Sequence, residues 1–179
     1  MIHLVLLFIQ YYDQKVIIRV VSSKGEGQTE LSAFDAALNN AGVSNYNLIV
    51  LSSVIPPGSI IKPSKKYQTP PEQFGHKLYV VRAEIRSKQT GQFLAAGVGW
   101  YQLQDGRGLF VEHELIASTR QIAKTDLELL ITNSLHDLCD FRNIQFDPAN
   151  VQMHTSIAQV KDKPTCVLVI AVYQSEGWE

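Results

Sequence analysis

Two consecutive serines, Ser52-Ser53, close an apolar run, Asn47-Leu48-Ile49-Val50-Leu51, and the prolines Pro56-Pro57 follow almost at once. A serine hydroxyl can attack the carbonyl before it and turn that amide into an ester. The shift is uphill for a relaxed peptide, so it needs a distorted turn and donors aimed at the developing oxyanion. A strand that stops against two prolines is a place where such a turn can be held. Elimination from the ester would leave dehydroalanine at position 53, and hydrolysis would convert it to a pyruvoyl group with loss of ammonia. Serine pairs are common, however. Ser22-Ser23 is a second one, but it precedes the glycines Gly25 and Gly27, where strain is hard to store.

Other groups could join this chemistry. Glu112-His113-Glu114 lies on a predicted strand, where Glu112 and Glu114 share a face and an ordinary solvated role is the simplest reading. Asp35 falls one turn after Leu31 and one before Leu38, near the apolar face of a predicted helix, where a surface or ion-paired aspartate is expected. Asn45 and Asn47 suit a turn after Gly42. The five histidines show no HxxxH or HExxH spacing and no CxxC pair occurs, so a zinc site is unsupported. Gly25-x-Gly27 lacks the spacing and the Lys-Ser/Thr ending of a phosphate loop.

The elements that must position these residues follow from pattern. Val16–Val21 reads as a strand ending in the polar loop Ser22–Gln28. Thr29 caps a helix whose Leu31, Phe34, Leu38 and Ala41 recur at helical spacing, and Gly42 stops it. Residues 58–76, with Pro63, Pro70 and Pro71, read as irregular chain. Leu78–Arg86, Phe93–Leu103 and Leu109–Leu115 read as a three-stranded meander with turns at Thr90-Gly91 and Asp105-Gly106. Thr125 and Glu128 suggest a capping box for a second helix with Leu127, Leu130, Ile131, Leu135 and Leu138 on its apolar stripe. Val151–Ile157 and Cys166–Tyr173 complete the strands. Strands with two well-separated helices argue for α+β, with helices covering sheet faces.

Bulk properties bound the function. The chain has 179 residues, 45% hydrophobic and 18% charged, with 16 basic and 17 acidic side chains and a formal net charge of -1. That suits a single globular domain and offers no basic stripe for nucleic acid or anionic membrane. Cys139 and Cys166 are expected as buried, reduced thiols. The apolar start, Ile2–Ile9, lacks a basic flank and is far shorter than the ~20 residues of a membrane span, so a buried strand and a cytoplasmic location are expected.

The stretch Gly25–Pro57 carries a glycine-rich entry, Leu31-x-Ala33-Phe34-Asp35, Asn45-x-Asn47-Leu48-Ile49, Ser52-Ser53 and Pro56-Pro57. It resembles the N-terminal third of pyruvoyl-dependent arginine decarboxylases, as does the shorter Gly108-Leu109-x-x-Glu112-x-Glu114. The resemblance implies a four-layer αββα sandwich of antiparallel and mixed sheets flanked by helices. It implies cleavage between Ser52 and Ser53 into a β chain, 1–52, and an α chain, 53–179. The pyruvoyl group derived from Ser53 would then be the electron sink for turning L-arginine into agmatine and carbon dioxide, with no pyridoxal phosphate and no metal. By the same resemblance Asn47 assists self-processing, its amide steadying the Ser52 carbonyl, and Glu112 donates the proton, with Glu114 as its rival. Asp35 would bind the substrate guanidinium, and Leu31, Leu38, Ser44 and Val54 would line the substrate pocket. Ser44 stands where the family often has glycine. Trimers, sometimes paired into hexamers, are implied, with sites between neighbours. Agmatine could feed polyamine synthesis, or the acid consumed could resist acid stress. Another amino acid as substrate, or an unprocessed oligomeric homologue without activity, stay open here.

Overall fold

The structure, a computed structural model, describes residues 16–178, so the strand expected over Ile2–Ile9 lies outside the described residues. In chain order the elements are β1 (Ile17–Glu26), α1 (Glu30–Ala41), β2 (Asn47–Val50), β3 (Val54–Ile55), β4 (Ile60–Ser64), β5 (Lys77–Ser87), β6 (Phe93–Gln102), β7 (Gly108–Ala117), α2 (Arg120–Asp140), β8 (Gln152–Gln159) and β9 (Thr165–Glu176). Short 3-10 turns occur at Pro71–Gln73 and Pro148–Asn150. One sheet has the order β2-β5-β9-β1-β4 and the other β3-β7-β6-β8.

Three apolar clusters stack these pieces into four layers. Ala33, Ala37, Leu38 and Ala41 of α1 pack on Val21, Leu78, Val80, Leu168 and Ile170 of the first sheet. Ile18, Val20, Val81, Val167 and Val169 of that sheet face Leu94, Val98, Trp100 and Phe110 of the second. Leu127, Ile131 and Leu135 of α2 cover Ala95, Tyr101, Leu109 and Val111 on the outer side. The αββα α+β sandwich is therefore present. β9 sits at the centre of its sheet and is buried on both faces, which is why Cys166–Val172 is apolar without alternation. Cys139 and Cys166 are both free and buried, and burial pushes the Cys166 thiol up to about 12. No described helix is long and apolar enough to cross a membrane.

Several boundaries differ from expectation, each for a tertiary reason. β1 runs on through the expected loop because β9 pairs with it as far as Glu26. Gly25 is there for clearance: a Cβ would lie 2.3 Å from the Ala37 nitrogen of α1. Within 58–76, residues Ile60–Ser64 add a parallel edge strand beside β1, a position that tolerates Pro63. The expected meander is split, since β5 joins the first sheet while β6 and β7 form a hairpin in the second.

Both helices also correct the pattern. Thr29 caps α1 as expected, its Oγ1 accepting the Ser32 N–H at 3.1 Å, and Gly42 ends it at φ 86. Leu31, however, is 69% exposed. α2 begins at Thr119, whose Oγ1 accepts the Ile122 N–H at 3.2 Å, so Thr125 and Glu128 are interior helix residues and not its cap. The buried stripe is Ala123, Leu127, Ile131, Leu135 and Cys139, a strict four-residue repeat, and Leu130 is 40% exposed.

Candidate active site

The Ser52-Ser53 bond lies where the chain crosses from one sheet to the other. β2 runs parallel to β5, and the Leu51 N–H still bonds the Val80 carbonyl at 2.8 Å. Two residues later the chain has changed sheets, and Val54 and Ile55 pair with Leu109 and Gly108 of β7. Ser53 makes the crossing at φ 65, a left-handed conformation that non-glycine residues seldom hold. Such backbone costs on the order of 1–3 kcal/mol and persists only where its surroundings over-determine it.

Those surroundings are visible. The Ser53 carbonyl accepts the Phe110 N–H at 2.8 Å. The Val54 carbonyl accepts the Tyr173 hydroxyl at 3.0 Å, and the Tyr173 ring packs edge-on against Phe110. Burial, then the charge of Glu112, push the Tyr173 phenol up, so it stays a donor. Ser59 Oγ closes the following turn on the Pro56 carbonyl at 2.7 Å. Tyr173→Phe is expected to destabilise the chain by about 0.5 kcal/mol, because the Val54 carbonyl loses the phenol that braces it at an exposed turn. A lower urea midpoint at unchanged slope would register it, and an unmoved midpoint would mean that Tyr173 does not hold this turn.

Ser53 Oγ donates a hydrogen bond to the Glu112 carboxylate. Alternation along β7 separates the neighbours of Glu112. Val111 and His113 face α2, where His113 Nε2 meets Ser134 Oγ at 2.8 Å. Burial lowers the His113 imidazole below its usual range, the Glu112 charge opposing, so near neutral pH it is uncharged. Glu114 shares the Glu112 face but is engaged elsewhere. It accepts the Glu84 N–H at 3.1 Å, an edge donor of β5 beyond the last residue paired with β2. Partial desolvation raises the Glu114 carboxyl above its usual range, although its outer side remains open.

A cavity of about 450 Å³ is lined by Ser52, Ser53, Glu112, His113, Ser134 and Arg142, among others. A second recess of about 410 Å³ lies beside it, lined by Val54, Pro56, Pro57 and again Leu109 and Arg142. Val54 is 55% exposed. Ser134, Arg142 and Tyr173 were not singled out in the sequence, and His113 only as part of Glu-His-Glu. Ser134, Arg142 and Tyr173 are far from Ser53 along the chain, and no spacing rule joins them to it.

The remaining expected residues are not in this cavity. Asn47 starts β2, five residues before Ser52, a separation of about 16 Å along an extended strand. Its Nδ2 donates to the Gly75 carbonyl at 2.7 Å, so within one protomer it does not steady the Ser52 carbonyl. Asp35 and Leu31 are exposed on α1, which packs over β1 and β9, whereas Ser53 leaves the sheet from β2 at its far edge. Leu38 is buried in the core beneath α1. Ser44 lines a separate recess of about 390 Å³ at the C-terminal end of α1, with Asn39, Asn45, Lys66 and Tyr67. Among the described residues no group of three or more His, Cys, Asp or Glu side chains comes together to hold a metal ion.

The site can therefore activate one hydroxyl on a strained turn and keep a carboxyl beside the same atom. The family model described as pyruvoyl-dependent arginine decarboxylase matches residues 17–177. A protein of that name from Halobacterium salinarum is 30% identical over 161 residues, covering 89% of this chain and 95% of its own. One from Thermococcus kodakarensis is 31% identical over 153 residues, covering 84% and 90%. One from Methanocaldococcus jannaschii is 32% identical over 121 residues, covering 66% and 70%. With the family model spanning both sheets, both helices and the Ser52-Ser53 crossing, this chain belongs to the pyruvoyl-dependent arginine decarboxylases, a family of enzymes.

Proposed function

We propose that this chain decarboxylates L-arginine to agmatine and carbon dioxide, using a pyruvoyl group that it makes from Ser53 by cutting itself between Ser52 and Ser53. The observation that carries the reading is Ser53, held left-handed at the crossing between sheets with its hydroxyl on Glu112. These residues fit the group: position 53 has a hydroxyl, a turn held on both sides and an open cavity beside it. When formed, the pyruvoyl group supplies a carbonyl that takes up the substrate amine and the electron pair released with carbon dioxide.

The chain's own side chains do the rest. Before cutting, Glu112 accepts the Oγ–H hydrogen bond and orients the hydroxyl. After cutting, that hydroxyl is gone, and the Glu112 carboxyl is left beside position 53 to deliver a proton to the substrate α-carbon. Glu114, tied to the Glu84 N–H, supports the edge of β5 instead. Asn47 acts on processing through the placement of β2, which it ties to the loop at Gly75.

Asp35 accepts the substrate guanidinium through two parallel hydrogen bonds, and a neighbouring subunit brings it to Ser53. Leu31 and Val54 frame the pocket directly, Leu38 by seating α1, and Ser44 by shaping the loop after it. Support for a shared site is the exposed apolar set Leu31, Ile49, Val50 and Val54, which a trimer or a hexamer of processed protomers would cover. The two reduced thiols suit the cytoplasm.

Purified protein tests this in one preparation. A denaturing gel and mass spectrum should show chains 1–52 and 53–179, the second beginning with a pyruvoyl group. The native mass should be a multiple of three protomers. Carbon dioxide release should be fastest with arginine in a panel with histidine, lysine and ornithine. An active but intact polypeptide with serine at 53 would overturn the mechanism, and preference for a non-guanidinium substrate would remove Asp35 from its role.

A further inference from the structure

Cutting creates a charge that the uncut chain does not have. Once Ser53 Oγ carries the Ser52 acyl group as an ester, the Cα proton of residue 53 passes to solvent and its C–H electron pair becomes Cα=Cβ. The Cβ–Oγ bond breaks, and its pair leaves on the carboxylate of Ser52. Water later replaces the residue 53 nitrogen, releasing ammonia and leaving the ketone. This bond breaking expels an anion beside the cavity that Ser52 lines. That cavity already holds the carboxylates of Glu112 and Asp137.

We infer that Arg142 takes up the carboxylate expelled from Ser52 and so speeds the elimination step of self-processing. Among the described residues it is the one Lys or Arg lining the cavity that Ser52 lines, and it also lines the recess beside it. The other arginine of that recess, Arg107, is already paired with Asp105 at 2.9 Å. Arg142 makes no ion pair with the described residues. Its Nη1 donates to the Leu138 carbonyl at 3.0 Å, which leaves the rest of the guanidinium fork for an incoming anion.

The backbone beneath it is pre-set. The Arg142 N–H bonds the Cys139 carbonyl at 3.0 Å, the Ile144 N–H bonds the same carbonyl at 2.9 Å, and Asn143 turns the chain at φ 53. His113, the other basic group of the cavity, is kept uncharged by burial and cannot balance the new carboxylate. Asp137 lines the same cavity, and its carboxylate lies 3.9 Å from His136 Nδ1. A donor placed where charge develops lowers the barrier without reorganising during the reaction.

This inference rests on self-cleavage at Ser52-Ser53, and the test separates the two. Wild type, Arg142→Gln and Arg142→Lys are expressed in full length and followed through maturation. At intervals they are denatured and treated with hydroxylamine, which cleaves an ester at this junction but not an amide. Arg142→Gln should mature about tenfold slower, a modest loss because Arg142 faces solvent. It should accumulate a hydroxylamine-labile form that yields chain 53–179 with an ordinary serine at its start. Arg142→Lys should restore most of the rate.

Three outcomes overturn the inference while leaving self-cleavage intact. Maturation of Arg142→Gln at the wild-type rate is the first, and a raised KM for arginine beside it would assign Arg142 to the substrate carboxylate. The second is a stall of Arg142→Gln as a hydroxylamine-resistant amide, and the third is an equal stall of the lysine variant. A wild type that never cuts would instead remove the reading on which the inference stands.

Discussion

Ser53→Ala is expected to leave one intact polypeptide without decarboxylase activity. The methyl group offers no oxygen to attack the Ser52 carbonyl, so no ester forms and no ketone is made. The fold should survive. Alanine and serine carry similar penalties in the left-handed region, and the hydrogen bonds that hold the turn, from Phe110 N–H and from the Tyr173 hydroxyl, go to backbone carbonyls and not to Oγ. Loss of the Oγ bond to Glu112 leaves that carboxylate facing an open cavity, where water can satisfy it. Mass spectrometry should show the uncut mass, and circular dichroism should show the wild-type content of helix and strand. A cut or active Ser53→Ala protein would end the proposed mechanism.

Glu112→Gln is expected to give the opposite split, complete cutting with activity reduced about 10²- to 10³-fold, within the range that a positioned acid contributes. The amide oxygen of glutamine can still accept the Ser53 hydroxyl, so the geometry that starts the acyl shift is kept. Glutamine has no acidic proton to deliver, so turnover falls at the protonation of the product carbanion. The loss should sit in kcat, with KM for arginine little changed. Glu114→Gln should keep near-normal kcat, since its amide oxygen can still receive the Glu84 N–H. If the Glu114 variant were crippled and the Glu112 variant active, the proton donor would be two residues farther along β7.

Local chemistry was the legible part. Ser52-Ser53 could be singled out because its signals are adjacent, an apolar strand, two hydroxyls and two prolines within a dozen residues, inside a stretch that resembles a known family. Thr29 and Gly42 bracket α1 for equally local reasons, an oxygen for an orphan N–H and a residue able to take φ 86. The start of α2 lies before the Thr125 and Glu128 that the local pattern suggested. Packing chose Thr119, which lets Ala123 join the buried stripe beneath the helix. The meander failed for a related reason. β6 is apolar along nearly its whole length, so its pattern names no partner, and only stacking of the two sheets decided that β5 and β6 would part.

By itself, the order of residues determined most of the strands, the presence of two helices and the serine pair at the end of β2, because these depend on periodicity and on chemistry within a few bonds. Tertiary structure alone decided which carboxylate meets Ser53. Glu112 and Glu114 are equivalent on a bare strand, and one faces Oγ while the other caps an N–H of β5. It also decided that Asn47, Asp35 and Ser44 would stand away from Ser53 within a protomer, while Tyr173 and Arg142 would come to it. The physical reason is that side-chain reach is a few ångströms, whereas chain separation says nothing about distance once strands have changed sheets.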